Sequence, residues 1–359
     1  MQVAVCRAFG KPLTIEEATL AGPGPGEIEV EIAACAICHS DIIYADGGWG
    51  GQLPAVYGHE AAGKVVGIGA GVMGFEKGDH VVVTLIRACG GCPACADGNP
   101  VSCSTKFPLS QKSPLRTRDG EPLVQALNTA AFAERVTVVA TQAVVVPKHL
   151  PMDAASLLAC GVITGFGAAV NTAKVRPGST VAVIGCGGVG LNCIQGSAIS
   201  GARQIIAIDV VDMKLEVAKS FGATDGLRGD KGDATAEVKK LTGGRGVDYV
   251  FVSVGVKAAF DQAYGMAALS GAIVFVGMPD NGVLSAVDVG TLASNNQRIL
   301  GSKMGGSHIR ADIPRLVGLW EEKRLKLEEL VSGRFQLAQI NEAIAGVKKG
   351  TALRNVITF

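Results

Sequence analysis

From Val181 onward the chain repeats one rhythm, and that rhythm leaves few folds open. Four apolar runs, Val181–Ile184, Ile205–Ile208, Tyr249–Val252 and Ile273–Val276, alternate with helix-like segments at Val189–Ser200, Asp212–Phe221, Ala234–Leu241 and Lys257–Leu269. Strands that alternate with helices pair in parallel, because each helix must carry the chain back across the sheet; a doubly wound sheet is expected. Gly185-Cys186-Gly187-Gly188-Val189-Gly190 follows the first run directly and opens the first helix. The first glycine permits a tight turn, the second lets backbone approach a pyrophosphate, and the third lets helix and strand pack closely, with the helix N-terminus facing the anion. Asp209 stands 19 positions after Gly190, where a carboxylate binds an adenosine ribose 2′-hydroxyl and repels a 2′-phosphate. Val210 and Val211 follow in place of a basic residue, so NAD is expected over NADP. A glycine turn that merely packs is the blander alternative; the strand, helix and acidic residue around it favour the nucleotide.

Ahead of this region, up to about Val146, short β-like runs are punctuated by Gly and Pro: Ile28–Ile32, Val65-Val66, Val81–Val83, Val136–Val139 and Val144–Val146. That is an all-β style of sequence. The tail reads as helices at Ile313–Lys326 and Ile340–Lys349, then a strand at Arg354–Phe359. A length of 359 residues suits two domains, and 48% hydrophobic content excludes a mainly disordered chain. The net charge of +1 carries no basic footprint for nucleic acid. Met1–Lys11 has no secretory leader, and Leu150–Val170 is broken by Pro151, Asp153 and three glycines, so a cytoplasmic protein without membrane spans is expected. Ten cysteines in such a chain are not a disulfide framework.

Their spacing points elsewhere. Cys89-x2-Cys92-x2-Cys95-x7-Cys103 puts four thiols within fifteen residues, with Gly90, Gly91, Pro93, Gly98 and Pro100 supplying turns. Four thiolates complete a zinc tetrahedron and leave no position for substrate, so the site is structural. Four reduced thiols and an iron–sulfur cluster are the alternatives. Cys38, His59 and Cys160 are further metal candidates, although by spacing alone each could be a core residue.

Taken together, these motifs resemble the zinc-dependent medium-chain alcohol dehydrogenases essentially end to end: Cys-His-Ser-Asp at 38–41, Gly-His-Glu at 58–60, the four-cysteine loop, Cys160-Gly161 with Thr164-Gly165, the glycine loop, Asp209 and Arg354. The resemblance implies an α/β chain in which a GroES-like β-rich catalytic domain, residues 1–161 and 303–359, surrounds a Rossmann coenzyme domain at 162–302. It implies two zinc ions per chain, the catalytic one held by Cys38, His59 and Cys160 with a fourth position for water or substrate oxygen. Ser40 would accept the alcohol proton, Asp41 orient His59, and Glu60 stand behind the metal. His39 and Arg354 would bind the NAD pyrophosphate with Gly185, Gly187, Gly188, Val189 and Gly190; Asp209 and Lys214 would bind the ribose, Thr164 would pack against the nicotinamide, and Val276 would also bind the coenzyme. Trp49, Leu85, Leu127 and Met278 would line the substrate pocket, with Lys303 at its edge.

One position departs from the pattern. Many relatives carry a His five residues after the first ligand Cys, where this chain has Ile43, so the proton would leave by water or His39. Cys6, Cys35 and Cys193 read as buried small hydrophobes, while Cys186 is either buried or activated by the nearby helix N-terminus. The expected partner is a small alcohol or aldehyde. A glutathione- or mycothiol-dependent formaldehyde dehydrogenase is the nearest rival, on the likeness of Cys160–Lys174 and the 28-residue loop between Cys103 and Phe132, with Arg116 and Arg118 to grip the thiol. A non-catalytic nucleotide-binding protein of the same fold is the third reading. A homo-oligomer is expected by resemblance, a dimer before a tetramer.

Overall fold

A computed structural model describes all 359 residues, Met1–Phe359. The chain forms two compact units, Met1–Cys160 with His308–Phe359, and Gly161–Ser307. The second unit therefore runs five residues beyond the expected 302. The reason is local: Asn171 Nδ2 donates to Gly305 O at 3.2 Å and Ser307 Oγ to Ile163 O at 3.2 Å, so the segment after Gly301 packs on the helix Gly161–Gly167.

The first unit holds two sheets. One runs in the order Ala143–Val145, His80–Val83, Glu60–Ile68, Glu27–Ala36, Arg354–Thr358 and Val331–Gln336, with Arg135–Val139 also paired to Glu27–Ala36. Alternation along Glu27–Ala36 sends Ile28, Val30 and Ile32 into the core beside Val81, Val83, Val136 and Phe132. The second sheet runs Leu115–Thr117, Thr14–Leu20, Gln2–Cys6, Ala55–Val56 and Val124–Gln125. Two of its strands, Leu115–Thr117 and Val124–Gln125, come from the stretch between Cys103 and Phe132 that the sequence presents as a loop.

The second unit is the expected parallel sheet, but with six strands rather than four: Asp225–Arg228, Gln204–Asp209, Thr180–Ile184, Val247–Val252, Ala267–Phe275 and Arg298–Gly301. Thr180–Ile184 is buried throughout, as parallel strands covered on both faces are. The two unexpected strands are the sheet edges, where Asp225, Arg228 and Arg298 interrupt the apolar signal. Two helices also differ from expectation. Lys257–Met266 stops three residues early, where Ala267 turns extended and starts a strand. The helix expected at 313–326 spans Ile309–Glu321, opened by the His308 N–H donating to Asp312 Oδ2 at 2.8 Å and closed before Lys323, which adopts φ 58°. No helix is long and apolar enough to cross a membrane.

Asp248 joins the two central strands at their starts. Its Oδ2 accepts the Thr180 N–H at 2.8 Å and hydroxyl at 2.9 Å, and Arg245 closes on both carboxylate oxygens. Burial alone raises this carboxyl, but Arg245 and Thr180 outweigh it and hold its pKa at about 2. A depressed pKa contributes stability that is present above the unfolded value and is lost as pH falls through the folded one. Asp248→Asn is therefore expected to destabilise the chain by ~1 kcal/mol at pH 7 after allowance for solvent screening. In thermal melts the gap to wild type should close between pH 4 and pH 2; a gap constant over that range would contradict the assignment.

Candidate active site

Cys38 is the N-cap of the helix His39–Asp46, and Asp41 is that helix's third residue. The Asp41 carboxylate reaches back to accept the Cys38 N–H at 3.0 Å through Oδ2. Its other oxygen accepts the Gly58 N–H at 2.9 Å and lies 2.9 Å from His59 Nδ1. This capping geometry explains the spacing of Cys-His-Ser-Asp. Gly58 has φ 90°, and a Cβ there would stand 2.6 Å from Phe132 N, so the turn into His59 admits only glycine.

Cys160 enters from the turn between the helices Met152–Leu157 and Gly161–Gly167. The ligand atoms of Cys38, His59, Glu60 and Cys160 all lie within 4.8 Å of one another, and all four residues are buried. His59 Nε2 is buried with no hydrogen-bond partner, while Nδ1 is fixed by Asp41. An orphaned imidazole nitrogen facing two buried thiols fits a metal ion. A hydrogen bond from Cys160 holds the Cys38 thiol below its usual range against the cost of burial, and pushes Cys160 above it. A dication would let both ionise without leaving net charge.

Arg354 differs from expectation. The resemblance assigns it to a pyrophosphate, whereas the structure buries it at 6% exposure in an ion pair with Glu60. Its strand pairs with the end of Glu27–Ala36, Val356 opposite Ala36, which carries the guanidinium in behind Cys38. Burial pushes the Glu60 carboxyl up to about 7, against the pull of Arg354. Ser40 lies half-buried in the first turn of the Cys38-capped helix, and His39 is exposed at its start. Trp49 packs edge-on against Tyr44 with centroids 5.0 Å apart. Trp49, Leu85 and Leu127 are half-buried in the same unit as the metal cluster; Met278 and Lys303 belong to the second unit and are exposed there, Met278 at 60%.

Cys89, Cys92, Cys95 and Cys103 also converge, with their sulfurs within 4.8 Å of one another. The Cys92 N–H donates to Cys89 Sγ at 3.2 Å, and Cys92 Sγ lies 3.8 Å from Cys103 Sγ. No residue from Ala88 to Pro100 is buried, so this loop has no core of its own. Its ties are the converging thiols, the short helix Pro93–Ala96 with its backbone hydrogen bonds, and His308, whose Nε2 meets Gly98 O at 2.7 Å. The Thr105 hydroxyl and the Gly91 and Cys92 amides hold the Cys89 thiol down to about 6, which favours the thiolate a metal requires.

In the second unit, Gly185 has φ 91°, and a Cβ on Gly190 would lie 1.8 Å from Gly185 O. The helix Gly188–Ile199 thus presses directly on the loop, while the space beside Gly187, its N-cap, is open and no side chain caps it. Val189 lies in the first turn of that helix. Asp209 Oδ2 accepts the Cys186 N–H at 2.7 Å and Oδ1 the Val211 N–H at 3.0 Å, so this carboxylate also braces the loop. Val210 beside it is 56% exposed, and Lys214 is half-buried. Thr164 is buried with Oγ1 3.7 Å from Met304 Sδ, and Val276 is buried just past its strand. Cys186 is buried with Sγ 3.7 Å from Ile208 O; burial, then Asp209, push its pKa far above the usual thiol range. It is a packed thiol, and the activated alternative fails. Arg116 donates to Gly120 O at 2.9 Å and Arg118 pairs with Glu17 at 3.4 Å, both exposed on the small sheet.

Comparison with known proteins agrees with this geometry. Residues 24–148 match the alcohol dehydrogenase GroES-like domain and residues 188–322 the zinc-binding dehydrogenase family. The putative alcohol dehydrogenase D of Mycobacterium tuberculosis is 35% identical, the match covering 99% of this chain and 98% of that protein. The NDMA-dependent alcohol dehydrogenase of Amycolatopsis methanolica is 34% identical, with the same shares covered. Among solved structures, benzyl alcohol dehydrogenase from Acinetobacter calcoaceticus superposes with a TM-score of 0.93 at 30% identity, covering 100% of this chain and 99% of that one. A buried cysteine–histidine cluster in a GroES-like unit, a glycine loop on a parallel sheet and relatives similar over nearly the whole length place this chain in the zinc-binding, medium-chain alcohol dehydrogenase family.

Proposed function

We propose that this oxidoreductase is an NAD-dependent zinc alcohol dehydrogenase, interconverting a primary or secondary alcohol with its aldehyde or ketone. The observation that carries the reading is the Asp41–His59 pair beside Cys38 and Cys160, with His59 Nε2 left for a metal. When bound at Cys38, His59 and Cys160, zinc supplies Lewis acidity, and NAD supplies the hydride acceptor.

The chain's own residues then have separable tasks. Asp41 fixes His59 by Nδ1, so Nε2 keeps its direction when substrate exchanges. Glu60, when ionised, cancels the charge of Arg354 behind the thiols, which would leave the two thiolates to balance a dication. Ser40, in the first turn beside Cys38, accepts the hydroxyl proton at Oγ as it gives up its own hydroxyl proton, which exposed His39 next to it passes to solvent in place of the relay that Ile43 lacks. Cys89, Cys92, Cys95 and Cys103 hold a second, structural zinc. Arg116 and Arg118, already engaged with Gly120 and Glu17, support a free alcohol over a thiol adduct.

Two outcomes are expected. Cys38→Ala should lower kcat for NADH formation at least a thousandfold and reduce zinc from two to one per chain with little change in Tm, whereas Cys103→Ser should lower Tm more than kcat, because a closed zinc site contributes folding energy. Equal effects of both variants on Tm and rate would contradict the division of roles. For the cofactor, wild type should prefer NAD in kcat/KM, and Asp209→Asn should narrow that preference by about tenfold, or ~1.4 kcal/mol. The same assay run with NDMA and no added NAD, and with formaldehyde plus a thiol, reads out the competing arrangements.

A further inference from the structure

Arg87 lies four residues past the strand His80–Val83 and is 7% exposed. Its guanidinium makes four hydrogen bonds, each to a neutral acceptor. Nε donates to Gln142 Oε1 at 2.8 Å, Nη1 to Ser110 Oγ at 2.8 Å, and Nη2 to Gln125 Oε1 at 3.0 Å and Asn128 O at 2.9 Å. A buried cation whose hydrogen bonds all go to dipoles, with the Glu27 carboxylate acting on it only through space, weakens a core unless those dipoles are fixed in place.

What these acceptors surround is a strained turn. Leu127, Asn128 and Ala130 adopt φ of 50°, 63° and 59°, three left-handed non-glycine residues in four positions. Such backbone persists only where its surroundings over-determine it. Gln142 Nε2 donates to Asn128 O at 3.1 Å alongside Arg87, and Asn128 Nδ2 donates to Leu85 O at 3.0 Å. Leu85 and Leu127, far apart in sequence, are thereby joined through Asn128. Directly after the turn, the Ala131 N–H donates to Gly58 O at 2.8 Å and the Phe132 N–H to Tyr57 O at 2.9 Å, on the backbone that leads into His59. The turn therefore hangs between Arg87 on one side and the Tyr57–Gly58 backbone that leads into His59 on the other.

We infer that Arg87 is a positioning residue for substrate selection: its guanidinium holds the strained turn that ties Leu127, through Asn128, to the Leu85 backbone, and so fixes the size of alcohol the site accepts. The substrate, and the place of Leu85 and Leu127 in its pocket, rest on the alcohol dehydrogenase reading; the mechanical part rests on the hydrogen bonds alone. A planar fork of five donors can hold acceptors on three segments at once, which an ammonium on a flexible stem cannot.

The test compares wild type with Arg87→Lys and Arg87→Met on ethanol, butanol, hexanol, octanol and benzyl alcohol. The ratio of kcat/KM for the larger alcohols to that for ethanol should change at least tenfold, mainly through KM, with zinc content unchanged. Amide exchange at Thr129–Phe132 should quicken at least tenfold. A uniform fall across the series, or unchanged protection at those amides, would overturn the inference. Where the Arg87 variants do not fold, Asn128→Gly relieves the left-handed strain and removes the bond to Leu85 O; it should alter the alcohol ranking at near-native Tm, and an unaltered ranking counts against the inference. If wild type oxidises no alcohol, the functional reading fails, and the exchange measurement alone still decides whether Arg87 holds the turn.

Discussion

The Asp41 carboxylate is where two distant stretches of chain become one site. It accepts N–H groups from Cys38 and Gly58 and fixes His59 Nδ1, so three bonds from one buried side chain set the positions of two ligands. Removing it would strand buried donors, each at a cost of ~1–3 kcal/mol. The same three bonds leave His59 Nε2 without a protein partner, facing Cys38 and Cys160. Folding thus sets His59 Nε2 and the two thiols where a metal ion could bind all three.

Charge follows from that arrangement. Two thiols, a carboxyl and a guanidinium are buried together, and low dielectric makes any imbalance there expensive. The Glu60–Arg354 pair neutralises itself. The two thiols remain, and a dication removes their cost of ionisation. The second unit solves a different problem by the same means: Asp209 is anchored on the Cys186 and Val211 amides, so a carboxylate stands fixed at the end of its strand, beside the glycine loop. The four-cysteine loop has no buried residue from Ala88 to Pro100, and its four thiols are the groups that converge within it.

Much of this was legible in residue order because the physics is local. Glycines at 185 and 190 meet a steric demand that no other residue meets, and four thiols at spacings of two, two and seven converge for geometric reasons. Central strands announce themselves by being buried on both faces. What was not legible depends on long-range pairing. Arg354 looked free for a phosphate until its strand was placed against Ala36, beside Cys38 and Glu60. The edge strands Asp225–Arg228 and Arg298–Gly301 carry charges that hide their apolar pattern. The stretch after Cys103 gained two strands only because Thr14–Leu20 and Ala55–Val56 offered edges to pair with. Arg87 gave no signal at all, since an arginine after an apolar run says nothing about acceptors 23 to 55 residues away.

The proposal on which the rest turns is that one chain holds two zinc centres of different composition, one open and one closed. X-ray absorption at the zinc edge measures this directly. With Cys38, His59 and Cys160 at one centre and four cysteines at the other, the account predicts two zinc ions per chain and a mean of (2 + 4)/2 = 3 sulfur neighbours per zinc, with half an imidazole each. A single zinc per chain, or a mean close to four sulfurs, would contradict it.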